Sequence, residues 1–216
     1  MFFSQRTNAL AWANTKQYQQ ANQQLLAQPR APHTQRVVFM GDSITEGWGK
    51  LRPAFFNTPG YVNRGIGGQT TPQMLLRFRP DVIALAPDVV VLLAGINDIA
   101  ENTGPMPLEQ VAGNLFSMAE LAQANGILVV LCAVLPAYDF GWSKNKQPAP
   151  KVLALNQLIA TYAQQKGHPF VDYYSPLADE RGGLPRQWAP DGIHPNANCY
   201  ALMEPLVQAG IAQAIN

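Results

Sequence analysis

Charge is scarce in this chain, and neither sign dominates. Only 13% of the 216 residues are Asp, Glu, Lys or Arg, and 15 basic against 14 acidic side chains leave a formal net charge of +1. Nucleic-acid binding calls for a clustered basic surface, so no such partner is expected. No apolar run approaches the roughly 20 residues that a membrane span needs, and no membrane partner is expected either. The opening stretch, "MFFSQRTNALAWANTKQ", lacks the sustained apolar centre of a secretory leader. The expected location is the cytoplasm, or the periplasm or exterior where a leader has been removed.

Cysteine is nearly absent. Cys132 ends an apolar run and Cys199 falls in a C-terminal helical pattern, with neither metal-ligand nor redox spacing between them. Counting alone permits a disulfide, but two buried thiols are the favoured reading. Histidine is limited to His33, His168 and His194. Any chemistry that needs an imidazole must draw on one of these three.

What is present is ample core material. Apolar residues make up 47% of the chain, enough for a single domain of this length. Residues 7–28, rich in Ala, Gln and Asn, read as a helix that stops before Pro29. Trp12, Tyr18, Leu25 and Leu26 would be its apolar anchors. The expected organisation is an N-terminal helical segment, 1–35, packed on a domain spanning 36–216.

Short apolar runs then alternate with longer helical patterns. The runs fall at 36–40, 61–65, 88–95, 127–136 and 169–174. Helices are expected at 71–86, 107–125, 150–166 and 196–214, with Pro80 breaking or kinking the first. Strands apolar on both faces suit a parallel sheet covered by helices on either side. The alternation therefore predicts an α/β doubly wound fold. Right-handed crossovers place every strand's carboxyl end along one edge, where open parallel sheets bind their ligands.

Four stretches follow such strands or precede the last helix: "GDSI" (41–44), "NRGIGGQTT" (63–71), "AGINDI" (94–99) and "APDGIHPNA" (189–197). Ser43 taken alone is most simply a helix N-cap. A serine hydroxyl becomes a nucleophile only beside a base. His33 and His168 sit in loop and turn sequences. His194 follows Asp191 by three residues, close enough for the carboxylate to accept from Nδ1 and leave Nε2 facing a hydroxyl. "GIGG" can offer backbone N–H groups, and Asn97 a side-chain amide, to a developing oxyanion. Each stretch alone has a structural explanation. Their convergence on one edge favours function.

The four blocks, in this order from Gly41 to Pro195, resemble those of the SGNH hydrolases, also called the GDSL esterase/lipase family. The resemblance implies a flavodoxin-like three-layer α/β/α sandwich of about five parallel strands in the order 2-1-3-4-5. It implies Ser43 as nucleophile, His194 as general base and then acid, and Asp191 as its orienting partner. Ser43 and Gly68 would supply backbone oxyanion donors, Gly67 being the neighbouring alternative, and Asn97 a side-chain donor. No metal and no cofactor are implied. The Gly-x-Ser-x-Gly elbow of α/β-hydrolases is absent, since residues 41–45 read Gly-Asp-Ser-Ile-Thr.

The implied reaction is ester hydrolysis through an acyl-enzyme, with activity rising as pH removes the imidazole proton. Aromatic residues near the site, Trp48, Trp142 and Trp188 above all, with Tyr138 and Phe140, are candidates to contact substrate. The wider sequence is similar to bacterial members acting on acetyl groups of carbohydrates. A small-molecule ester, an acetylated sugar in particular, is the expected partner. An arylesterase or thioesterase acting on short acyl chains is the near alternative. A non-catalytic carbohydrate-binding module is the distant one.

Overall fold

The computed structural model describes residues 9–216. The elements follow one another as α1 (Ala9–Trp12), α2 (Gln19–Ala27), β1 (Val37–Gly41), α3 (Ser43–Leu51), α4 (Pro53–Phe56), β2 (Tyr61–Gly65) and α5 (Thr71–Asp81). After a 3-10 turn (Ile83–Leu85) come β3 (Val89–Leu93), α6 (Ile96–Ile99), α7 (Leu108–Ala124), β4 (Leu128–Cys132), α8 (Pro148–Lys166), β5 (Phe170–Val171) and α9 (Ala197–Ile215). The five strands form one parallel sheet in the order β2-β1-β3-β4-β5. Helices α3 and α9 pack on one side, and α5, α7 and α8 on the other. This is the flavodoxin-like three-layer sandwich that the sequence implies.

Every residue of β1 and β3 is buried, as a sheet covered on both faces demands. Register then does the work that matters for the site. Gly41 lies beside Gly65 on one flank and beside Leu93 on the other. The chain leaving each strand is therefore delivered to the same edge, side by side.

Several strands and helices are shorter than their apolar runs, for identifiable reasons. Beyond Cys132 the Asn156 side chain takes over from a neighbouring strand: its Oδ1 accepts the Val134 N–H at 2.7 Å and its Nδ2 donates to Val134 O at 2.9 Å. Past Val171 the Asp172 carboxylate accepts from the N–H groups of Tyr174 and Ser175 and turns the chain. The expected helix 71–86 is two elements, because α5 stops one residue after Pro80 and Ala86 adopts a left-handed φ of 46°. Both cysteines are free and buried, as favoured. Burial pushes the Cys132 thiol up to about 12 and that of Cys199 to about 11.

The N-terminal segment departs most from expectation. Residues 7 and 8 lie outside the described residues, and the rest form two short helices separated by turns instead of one. Of the expected apolar anchors Leu25 packs against the core, while Trp12 and Leu26 stay 37% and 51% exposed. Polar groups hold it as well. Asn22 donates to Pro80 O and to Asp81 Oδ1, and accepts from Arg64 Nε, all within 3.0 Å. Gln69 and Gln73 donate to the carbonyls of Ala13 and Trp12. Tyr18 donates its hydroxyl to Gly65 O.

Trp48 requires a correction. It is 1% exposed, stacked between Phe55 at 5.0 Å and Tyr200 at 5.3 Å, with Phe39 and Tyr173 at its edges. Its indole N–H points at Glu204. A ring enclosed in this way packs the core and is closed to substrate. Phe140 is likewise fully buried.

Candidate active site

Ser43 sits where β1 ends and α3 begins. Asp42 caps the helix, its Oδ1 accepting the Ile44 N–H at 2.9 Å. Ser43 is therefore the first helical residue, where backbone N–H groups have no acceptor within the helix. Its Oγ lies 3.0 Å from His194 Nε2. His194 Nδ1 lies 2.6 Å from Asp191 Oδ2, while the other oxygen of Asp191 accepts the N–H groups of Ile193 and His194. Asp191 thus builds the turn that holds the histidine and orients its ring. Burial raises the Asp191 carboxyl, but hydrogen bonds from the His194 ring, the His194 N–H and the Ile193 N–H outweigh it and leave the group below its ordinary value. The carboxylate form is favoured, and it stabilises a protonated imidazole.

The second block lies directly beside Ser43. A Cβ on Gly65 would come within 2.2 Å of the Glu46 backbone nitrogen, so only glycine lets α3 approach β2 this closely. The Gly67 N–H donates to Glu46 Oε2 at 2.8 Å and is already committed. Gly68 follows with a φ of +75° and open space around it, and its N–H has no acceptor among the described residues. Of the two glycines, Gly68 is the one with a donor to offer.

Asn97 is 4% exposed on α6. One of its amide N–H groups donates to Gln69 O at 3.0 Å, and its Oδ1 accepts from Asn102 Nδ2 at 2.9 Å. Asp98 beside it accepts from the Thr71 hydroxyl at 2.7 Å and from the Thr71 N–H. It thereby ties the third block to the start of α5. Burial raises the Asp98 carboxyl to about 6 despite these bonds.

Among the aromatic candidates, Trp142 has its ring beside His194, while Tyr138 is half exposed under the Arg181 guanidinium. Trp142 is half exposed, with its ring 6.4 Å from that of His194. Trp188 is partly buried against the core, and its carbonyl accepts the Asn196 N–H, so it supports the His194 loop from beneath. His33 is exposed in a loop and His168 lies below β5; neither joins the site. The residues that sequence reasoning missed are Glu46, Gln69 and Asn102. Glu46 stands three residues after Ser43 on the same helix. Gln69 directly follows Gly68, and Asn102 follows Asn97 by five residues. Among the described residues no group of three or more His, Cys, Asp or Glu is placed to hold a metal ion.

Asp42 supplies a testable pH dependence. It is 1% exposed, and burial raises its carboxyl to about 7, against the Ile44 N–H and the nearby His194. The folded state then keeps a proton that the unfolded chain releases near pH 4. The stability linked to Asp42 is fully present below about pH 4 and is lost as pH rises to about 7. Asp42→Asn keeps the cap and removes this loss. Urea unfolding should show the variant gaining on the parent by about 1 kcal/mol or more between pH 4 and pH 8; a constant difference would count against a buried, reluctant carboxyl.

The geometry can be set beside known proteins. Residues 39–202 match the model of the GDSL-like lipase/acylhydrolase family. The crystal structure of a GDSL-like lipase from Bacteroides thetaiotaomicron superposes with a TM-score of 0.89 at 49% identity, covering 94% of this chain and 99% of that one. Esterase TesA of Pseudomonas aeruginosa is 30% identical over 184 residues, 79% of this chain and 84% of that protein. An acetylxylan esterase of Xylanibacter ruminicola is 26% identical over 212 residues, 82% of this chain but 43% of that longer protein. The chain belongs to the GDSL-like lipase/acylhydrolase family, the SGNH hydrolases, and is a carboxylic ester hydrolase.

Proposed function

We propose that the chain removes short acyl groups, acetyl above all, from carbohydrate esters, by way of an acyl-enzyme on Ser43. The observation that carries the mechanism is the continuous chain from Ser43 Oγ through His194 to Asp191, at 3.0 and 2.6 Å. His194 Nε2 takes the hydroxyl proton as Oγ attacks the ester carbonyl. The negative charge that develops on the carbonyl oxygen meets the N–H groups of Ser43 and Gly68 and the free N–H of Asn97. In comparable sites the loss of one such donor costs about 3–4 kcal/mol of transition-state stabilisation. His194 then gives its proton to the leaving alcohol, and next removes one from the water that releases the acid.

The carbohydrate reading is supported by the openness of the site. About half of each of the Asp191 and His194 side chains is exposed. Trp142 offers a flat ring beside them, and an aromatic face suits a sugar ring. The similarity to an acetylxylan esterase points the same way.

The test is a panel of acetylated sugars against p-nitrophenyl esters of increasing acyl length. The acetylated sugars should be deacetylated, and kcat/KM on the nitrophenyl esters should fall steeply beyond short acyl groups. A strong preference for long chains would remove the carbohydrate reading. Activity on short nitrophenyl esters without activity on the sugars would favour the arylesterase or thioesterase reading.

A further inference from the structure

We propose that Asn102 is a positioning residue for the oxyanion donors, fixing the polarity of Asn97 and the seat of Gly68, and that the rim residue Trp142 fixes Asn102 in turn. The proposal rests on the roles given above to Ser43, Gly68 and Asn97.

The argument turns on which groups can only donate and which can only accept. Asn102 Nδ2 lies 3.2 Å from the Gly68 carbonyl, which can only accept. Asn102 Oδ1 lies 3.1 Å from the Trp142 indole N–H, which can only donate. These two partners allow the Asn102 amide one orientation. Its NH₂ then faces Asn97 at 2.9 Å, and the group of Asn97 that meets it must be the oxygen. On the other side Asn97 Nδ2 meets Gln69 O, again acceptor only. The remaining Asn97 N–H is thereby left for a ligand. With the Asn97 amide reversed, a carbonyl oxygen would face the developing negative charge and oppose it. Gln69 O selects this face from one side and Asn102 from the other, and Trp142 holds Asn102 to it.

The surroundings show why Asn102 is well placed for this. Its own N–H donates to Asn97 O at 3.0 Å, so it lies one turn beyond α6. The Thr103 hydroxyl pairs with that of Thr70 at 3.0 Å, which fastens this turn to the segment after Gly68. On the other side Ser143 donates to Ala100 O at 2.8 Å, and Lys146 pairs with Glu101. The turn 100–103 is thus clipped to the oxyanion loop on one flank and to the Trp142 loop on the other. Trp142 itself is half exposed beside His194.

Four variants test the proposal with p-nitrophenyl acetate: Asn102→Ala, Asn102→Asp, Trp142→Phe and the control Ser43→Ala. Asn102→Ala should lower kcat by about 10- to 100-fold with KM within about twofold, since the donors act mainly on the transition state. Affinity for a trifluoromethyl ketone, which forms a tetrahedral adduct, should fall in parallel. Asn102→Asp keeps the Trp142 contact but presents an acceptor and a charge to Gly68 O and Asn97, so its loss should exceed that of Asn102→Ala. Trp142→Phe keeps an aromatic ring and removes only the N–H, and should give the smallest loss of kcat. Parent-like kcat in Asn102→Ala, with Ser43→Ala inactive, overturns this proposal and leaves the catalytic assignment standing. Full activity in Ser43→Ala overturns both. A raised KM with unchanged kcat in Asn102→Ala also overturns it, because that pattern marks ground-state binding. Should Asn102→Ala fail to fold, Trp142→Phe decides, on an exposed side chain, and parent-like kcat there overturns the proposal.

Discussion

Ser43→Ala is expected to lower kcat/KM for p-nitrophenyl acetate by at least about 10,000-fold, with stability unchanged. The methyl group occupies the place of Cβ and takes nothing from the core, because the Ser43 hydroxyl faces His194 at the open edge of the sheet. The loss stops short of the uncatalysed rate, since the Gly68 and Asn97 donors still receive the carbonyl oxygen. His194→Ala should cost a similar factor. The double variant should be hardly worse than either alone, because a hydroxyl without its base and a base without its hydroxyl are equally idle. Two independent, multiplying losses would mean that the groups do not act as a unit. Retention of parent activity in Ser43→Ala would remove the nucleophile.

The second large effect is on stability. Arg77 is fully buried and forms an ion pair with Asp81 at 3.0 Å, itself fully buried. Its guanidinium also donates to Gln69 Oε1 at 2.5 Å and to Gly41 O at 3.0 Å. Burial lowers its readiness to hold a proton, against the pull of the Asp81 carboxylate. Arg77→Met takes away the guanidinium that pairs with Asp81 and leaves Gln69 Oε1 without its donor, while Gly41 O keeps the Ile66 N–H. Breaking one side of such a pair costs about 3–5 kcal/mol. For a chain of this size that is a fall of about 6–20 °C in Tm. Arg77→Met with Asp81→Leu should recover part of the loss, since both members of the pair then leave together, although buried Arg64 loses the nearby Asp81 carboxylate. Recovery should be incomplete, because Asn22 Nδ2 still loses a partner at Asp81. An unchanged Tm in Arg77→Met would contradict this account of the interior.

This network explains both what the sequence revealed and what it hid. The doubly wound class and the convergence of the four blocks were legible, because β-branched runs covered on both sides suit a parallel sheet; the strand order came from the family resemblance. The pairing of Gly41 with Gly65 and Leu93 then follows from the sheet. Trp48 was misread because an aromatic five residues after the nucleophile lies one and a half helical turns on. That rotation carries it from the edge into the core, against Phe55 and Tyr200. The N-terminal segment was read for apolar anchors, of which Leu25 does pack on the core, but it is also held by Asn22, Gln69 and Gln73, whose partners include backbone carbonyls and a buried carboxylate. Amide side chains carry no periodic signature, and their partners lie up to 61 positions away in sequence. Asn102 stayed hidden for the same reason: its importance lies in whom it faces.

The central claim, that an imidazole from the end of the chain activates a hydroxyl from its beginning, is tested most directly by covalent trapping. The protein is incubated with a fluorophosphonate, the labelled peptide is mapped by mass spectrometry, and the rate is compared with that of His194→Ala. One phosphonyl group on Ser43, attached at least about 100-fold more slowly in His194→Ala, is the predicted result. Label on another residue, or labelling of Ser43 at the parent rate without the histidine, would contradict it.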